Sequence, residues 1–171
     1  MTIQKGIPAT KFSLDFFSLS IEEKIGQIQI VMSVNSNCVT TTNIPCVRDS
    51  LKTKIPGIFS TKCFNYKKQP FYEEVANTEL AHLFEHIILE KFCELKASLD
   101  YEQFTIRGNT EWNWHKNPKG TFLIKLSVKK HDRTIFYQSL KDSIQIYNHI
   151  MNTCIIDNHI ISGQLLNRSV I

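Results

Sequence analysis

The run Thr78-Glu79-Leu80-Ala81-His82-Leu83-Phe84-Glu85-His86-Ile87-Ile88-Leu89-Glu90 lies within the strongest helical pattern of the sequence. That pattern starts at about Phe71 or Glu73 and runs to Ala97, with Asn77 or Thr78 as alternative N-caps. At about 100° per residue, Leu80, Leu83, Phe84, Ile87, Ile88 and Phe92 share one broad apolar arc. A second face carries Glu79, His82, Glu85, His86, Leu89, Glu90 and Cys93. It mixes Leu and Cys with two histidines and three glutamates and contains no lysine. Such a face is half-buried, and its polar groups need partners.

Reading outward, Thr121–Lys129 alternates, with Phe122, Ile124, Leu126 and Val128 apolar, and predicts a strand with one buried face. From Asp132 to about Asn152, apolar residues recur at helical spacing and predict a second amphipathic helix. Tyr101–Arg107 reads as a strand, with Gly108-Asn109-Thr110 and Asn117-Pro118-Lys119-Gly120 as turns. Upstream, KFSLDFFSL (11–19) and QIQIVMSV (27–34) read as extended. Between them, Ser20-Ile21-Glu22-Glu23-Lys24 reads as a turn or short helix. Residues 37–46 read as a loop or edge, and Val47–Thr53 as a short helix broken by Pro56-Gly57. Residues 61–72 read as an irregular connection, and the tail from Thr153 is apolar without a pattern. The expectation is one α+β domain over 1–171. An antiparallel or mixed sheet is packed by two main helices, at about 73–97 and 132–152.

The composition agrees with a globular chain. Its 171 residues are 42% hydrophobic and 21% charged, which excludes wholesale disorder, and 11 Phe supply a core. No apolar run reaches the roughly 18 residues of a membrane span, and the start lacks a secretory h-region. No membrane partner is therefore expected. Cys38, Cys46, Cys63, Cys93 and Cys154 form no C-x-x-C, and free thiols in a reducing cytoplasm are the expectation. Charge is uneven: −1 through Glu111 and +5 from Trp112 onward. That asymmetry is too mild for a nucleic-acid partner and suits an anionic ligand near the C-terminal third, or simply a solvated surface.

His82-Leu83-Phe84-Glu85-His86 is an H-x-x-E-H. On a helix, the two imidazoles stand one turn apart and reach one metal ion, with Glu85 beside them as a proton acceptor. This order is the inverted zincin pattern. The plainer alternative is a hydrogen-bonded His/Glu cluster without metal. Catalytic zinc takes three protein ligands and keeps a place for water. Glu90 lies too far along the helix to be the third. Glu111, at the end of a strand beside the helix, is the first choice, followed by Cys63 and then His115. Pitrilysin-type peptidases share the motif but use a Glu well downstream, and no Glu follows Glu111. S-ribosylhomocysteine lyases pair the motif with a Cys downstream of the helix, whereas Cys63 is upstream. Trp112, Trp114, Lys116 and Lys119 read either as a cleft lining or as packing and a solvated turn.

The run Thr78–Glu90 resembles the helix in the N-terminal domain of cyanophycin synthetases, of the form (G/N)T-x-x-(A/G)-H-x-x-E-H-(I/V)-x-L-E. Lys62-Cys63-Phe64-Asn65 stands where those proteins have a Cys-containing segment. Gly108-Asn109-Thr110 matches a Gly-Arg-Thr turn, and Gly120-Thr121-Phe122-Leu123-Ile124 a Gly-x-Tyr-x-Val strand. The likeness is strongest over about 55–152. It implies a fold like that of the pitrilysin-type peptidases and S-ribosylhomocysteine lyase, and a metallopeptidase-like site at His82, Glu85 and His86. The chain is too short for the ATP-dependent ligase modules of those synthetases and has no G-x-x-x-x-G-K loop. Asn109 replaces the family's Arg, and Ser127 stands near a position where the family often has Glu.

The resulting expectation is a small cytoplasmic zinc hydrolase of amide bonds in a peptide-like or small amide substrate. Zn²⁺ is held by His82, His86 and Glu111, with Glu85 as catalytic base. The alternatives are a non-catalytic binding module of the same fold, a metal lyase in which Cys63 is a ligand, and a structural protein without metal.

Overall fold

The structure, a computed structural model, describes residues 10–34, 37–44, 46–63, 69–99 and 106–168, with side chains as far as Cys154. Five strands form one open sheet: β1 (Thr10–Ser13), β2 (Phe17–Lys24), β3 (Gln27–Val34), β4 (Gly108–Glu111) and β5 (Thr121–Leu126). Their order is β1-β2-β3-β5-β4, and every pairing is antiparallel. The helices are α1 (Val47–Lys54), α2 (Phe71–Glu74), α3 (Leu80–Ala97) and α4 (Arg133–Arg168).

Strand alternation decides which face is covered. Leu19 and Ile21, Ile28, Ile30 and Met32, and Phe122, Ile124 and Leu126 are all buried on one face. Their register partners stack them in rows across β2, β3 and β5. Phe84 on α3, Tyr147 on α4 and Phe17 on β2 meet in one ring cluster, with centroids 5.0–6.0 Å apart. That cluster joins both helices to the sheet through aromatic contacts and area burial. Lys96 near the end of α3 bonds the Asp132 carboxylate at the entry to α4 at 2.5 Å, both groups being buried.

Several expectations change. Ser20–Lys24 is not a turn but the second half of β2, because Ile21 falls on the buried face while Glu22 and Lys24 pair on the other at 3.2 Å. The reversal comes at Ile25-Gly26, where Gly26 takes φ +74°. Gly108-Asn109-Thr110 is not a turn but edge strand β4. Most of the expected strand at Tyr101–Arg107 lies outside the described residues, and Ile106 and Arg107 are not in a strand. The first long helix is split: α2 is a single turn, and α3 begins only after Glu79, whose backbone is extended. The second helix passes Asn152 and continues to Arg168, since no proline stops it.

The expectation of five free thiols is also overturned. Cys46, at the start of α1, is disulfide-bonded to Cys154 on α4, with Cα atoms 5.4 Å apart. Cys38, Cys63 and Cys93 form no disulfide. Among the described residues, no helix is long and apolar enough to cross a membrane.

Candidate metal centre

The entry to α3 is clamped by the segment before α1. Leu80 N–H donates to the Val39 carbonyl at 2.9 Å and Thr41 N–H to that of Thr78 at 2.8 Å. Thr78 N–H in turn donates to Thr41 Oγ1 at 3.0 Å. With its backbone fully engaged, Thr78 presents its hydroxyl one helical turn ahead, where Oγ1 lies 2.7 Å from His82 Nδ1. The other ring nitrogen, Nε2, lies 3.5 Å from Cys63 Sγ.

His86 is fixed in a parallel way. Thr61 donates its hydroxyl proton to the Ile58 carbonyl at 2.6 Å. The same oxygen lies 3.0 Å from His86 Nδ1. A hydroxyl with its one proton engaged must accept there, so Nδ1 carries the ring proton and Nε2 holds a lone pair. Phe71, the first residue of α2, stacks on this ring at 3.9 Å and 18°. The two imidazoles lie 4.8 Å apart, steeply tilted. Burial pushes the His82 pKa down, against the pull of Glu74 in the opposite direction. Burial and then the neighbouring His82 push His86 down to about 3. Neutral rings offer lone pairs to a cation.

Cys63, His82 and His86 each bring one donor atom, all within 4.8 Å of one another. Two imidazoles and a thiol suit zinc. The 3.5 Å sulfur–nitrogen separation is that of two tetrahedral ligands with bonds of about 2.3 and 2.0–2.1 Å. Threonine hydroxyls on both Nδ1 atoms are the outer partners such a site requires.

Glu85 is buried beside this triangle. Its carboxylate accepts from the Thr110 hydroxyl on β4. Burial raises its pKa to about 7, although that bond pulls the other way. Gly108 makes the space: a Cβ there would lie 2.4 Å from Glu85 Oε1. The triangle and Glu85 share the wall of one pocket of about 990 Å³, bordered by Lys62, Glu74, Glu79, Arg107, Thr110 and Trp112 among others.

The sequence matches the cyanophycin synthase-like N-terminal domain over residues 29–115, half of the chain. The chain belongs to that family. The matched span opens in β3, closes at His115, and contains Cys63, His82, Glu85, His86 and Thr110. It begins earlier and ends earlier than the expected 55–152. No curated protein and no solved structure matches the chain.

In this member of the cyanophycin synthase-like N-terminal domain family, Glu111 is not beside the histidines. Alternation along β4 sends Thr110 toward α3 and Glu111 to the opposite face. There Glu111 is exposed and takes Lys125 Nζ at 2.7 and 2.8 Å and Asn109 Nδ2 at 2.7 Å. Cys63 stands in the place expected of Glu111. His115 is exposed, outside the triangle. Glu90 lies against Gly57, away from the histidines. Trp112 borders the pocket, while Trp114 is half-buried and donates to the Thr121 carbonyl at 3.1 Å. Lys116 and Lys119 are exposed and do not border the pocket. Thr61, Thr78 and Thr110 were not anticipated in these roles. Only Thr78, four residues before His82, carried a positional signal.

Proposed function

We propose that this chain is a zinc-dependent hydrolase of amide bonds in a peptide-like or small amide substrate. One observation carries the reading: the Cys63–His82–His86 triangle and the Glu85 carboxyl group share one pocket wall. Zinc bound by these donors supplies Lewis acidity toward a carbonyl and toward water. The chain does the rest. Thr61 and Thr78 hold the two rings by Nδ1, which leaves each Nε2 for another partner, and that of His82 lies 3.5 Å from Cys63 Sγ. Glu85, a buried carboxyl group beside the triangle, takes a proton at its carboxylate and returns it to a leaving amine. Thr110 fixes which way that carboxylate faces.

A second reading is favoured by Cys63 itself, since a thiolate third ligand is what the lyase alternative called for. There Glu85 would move a proton on the substrate without addition of water. The deciding experiment begins with elemental analysis of protein purified without a His-tag or chelator, which should return one zinc per chain. Products of blocked peptides then separate the readings by mass, since hydrolysis adds one water and a lyase adds none. Glu85→Gln should keep its zinc and lose about 10²–10⁴ in rate. Zinc-free protein, or an unimpaired Glu85→Gln, refutes the hydrolase.

A further inference from the structure

The pocket is bordered by a sheet edge, and hydrogen-bond phase shows what that edge offers. Ser127 N–H donates to the Arg107 carbonyl at 2.8 Å, so Arg107 and Ser127 are a hydrogen-bonded pair in the β4–β5 register. Bonded and non-bonded pairs alternate along an antiparallel ladder. Asn109 and Glu111 therefore turn their backbone groups inward to β5, and Gly108 and Thr110 turn theirs outward. The other side of β5 agrees: Val34 N–H donates to the Gly120 carbonyl at 2.9 Å, which assigns Phe122, Ile124 and Leu126 to β3 and leaves Leu123 and Lys125 for β4.

No strand lies beyond β4 among the described residues. Nor does a backbone or side-chain bond to the outward N–H or C=O of Gly108 or Thr110 occur among them. These two residues also hold Glu85, Gly108 by its missing Cβ and Thr110 by its hydroxyl. Thus the open hydrogen-bonding edge and the Glu85 carboxyl group are fixed by the same two positions. Trp112 is 43% exposed and borders the same pocket two residues further on.

We infer that the free edge of β4 binds an extended peptide chain, which adds as a sixth strand through the N–H and C=O groups of Gly108 and Thr110. This rests on the hydrolase reading and narrows it from any small amide to an extended polyamide backbone. A chain so paired lies one strand spacing, about 4.8 Å, from the residues that contact Glu85. Its backbone supplies the binding, and Trp112 offers an apolar plate to a side chain.

The test is amide hydrogen exchange on full-length, zinc-loaded, ¹⁵N-labelled Glu85→Gln protein, with and without a pool of blocked, randomised hexapeptides at millimolar concentration. In free protein, Gly108 and Thr110 should exchange freely while Asn109 and Glu111 are protected. The pool should slow Gly108 and Thr110 by at least about tenfold and leave the other two unchanged. Unchanged exchange at Gly108 and Thr110 overturns the inference. So does protection of both before peptide is added, which would mean that a second copy or another segment of the chain already covers the edge. A parallel arm compares wild-type hydrolysis of the pool with that of blocked single-residue anilides. Protected amides without cleavage of either probe refute the hydrolase and leave the edge site standing. Cleavage of both probes without protection does the reverse.

Discussion

Gly108 passes Glu85 so closely that a Cβ on the glycine would lie 2.4 Å from Oε1, 2.7 Å from Cδ and 2.8 Å from Cγ of the glutamate. The edge strand and the helix thus meet at a separation that excludes any side chain at 108. Gly108→Ala should push the carboxyl group off Thr110 and cost about 1–3 kcal/mol, as overpacking does. Measured by urea unfolding, this cost should shrink in a Glu85→Ala background, because the clashing atoms are gone. Equal costs in both backgrounds would show that the strain lies elsewhere.

Zinc affinity should follow the triangle and its threonines. Cys63→Ser, His82→Ala and His86→Ala should abolish tight binding, while Glu111→Ala should bind as wild type does. Thr61→Val and Thr78→Val remove the partners of the two Nδ1 atoms and should weaken binding by about 10–100-fold. Competition with a chromogenic chelator measures all six. Loss of zinc in Glu111→Ala with retention in Cys63→Ser would return the third ligand to β4.

The metal-free protein should show opposed titrations. Glu85 has a folded pKa of about 7 against an ordinary 4.5, so its contribution to stability is present below 4.5 and is lost as pH rises through 7. His86 has a folded value of about 3 against 6.5, so its contribution is present above 6.5 and is lost as pH falls toward 3. Between 4.5 and 6.5 the two oppose each other. Glu85→Gln removes one arm. Its stability should climb steadily from 4.5 to 6.5, the interval over which the opposed slopes hold the wild type level. Denaturant melts in chelator across that range check the sign.

Three thiols, not five, should react with a thiol reagent in denaturant without reductant, because Cys46 and Cys154 are joined. Their separation of 108 residues closes a long loop, so reduction should cost about 2–4 kcal/mol and lower the melting temperature. Five reactive thiols would mean that the protein as isolated lacks this bond.

The paired histidines and Glu85 are legible because a single helix carries them, and helical spacing alone puts His82 and His86 on one side. Cys63 ranks below Glu111 on sequence alone, since nothing local relates a residue before α2 to the face of α3. The Gly108-Asn109-Thr110 string has turn composition, yet its glycine answers to a carboxylate 23 positions away rather than to a reversal of the chain. Charge density likewise disguised Ser20–Lys24, where a single buried Ile21 fixes the strand phase. The Cys46–Cys154 pairing joins α1 to α4, and no spacing rule reaches across that distance.

Cys63 and His82 are 19 positions apart, with α2 and its Phe71 between them. A cation shared by the two would close that stretch into a ring and hold the aromatic plate over its own imidazole. The ion would then be a clasp for the cavity as well as a reagent inside it, and stripping it would loosen the wall from which substrate is addressed.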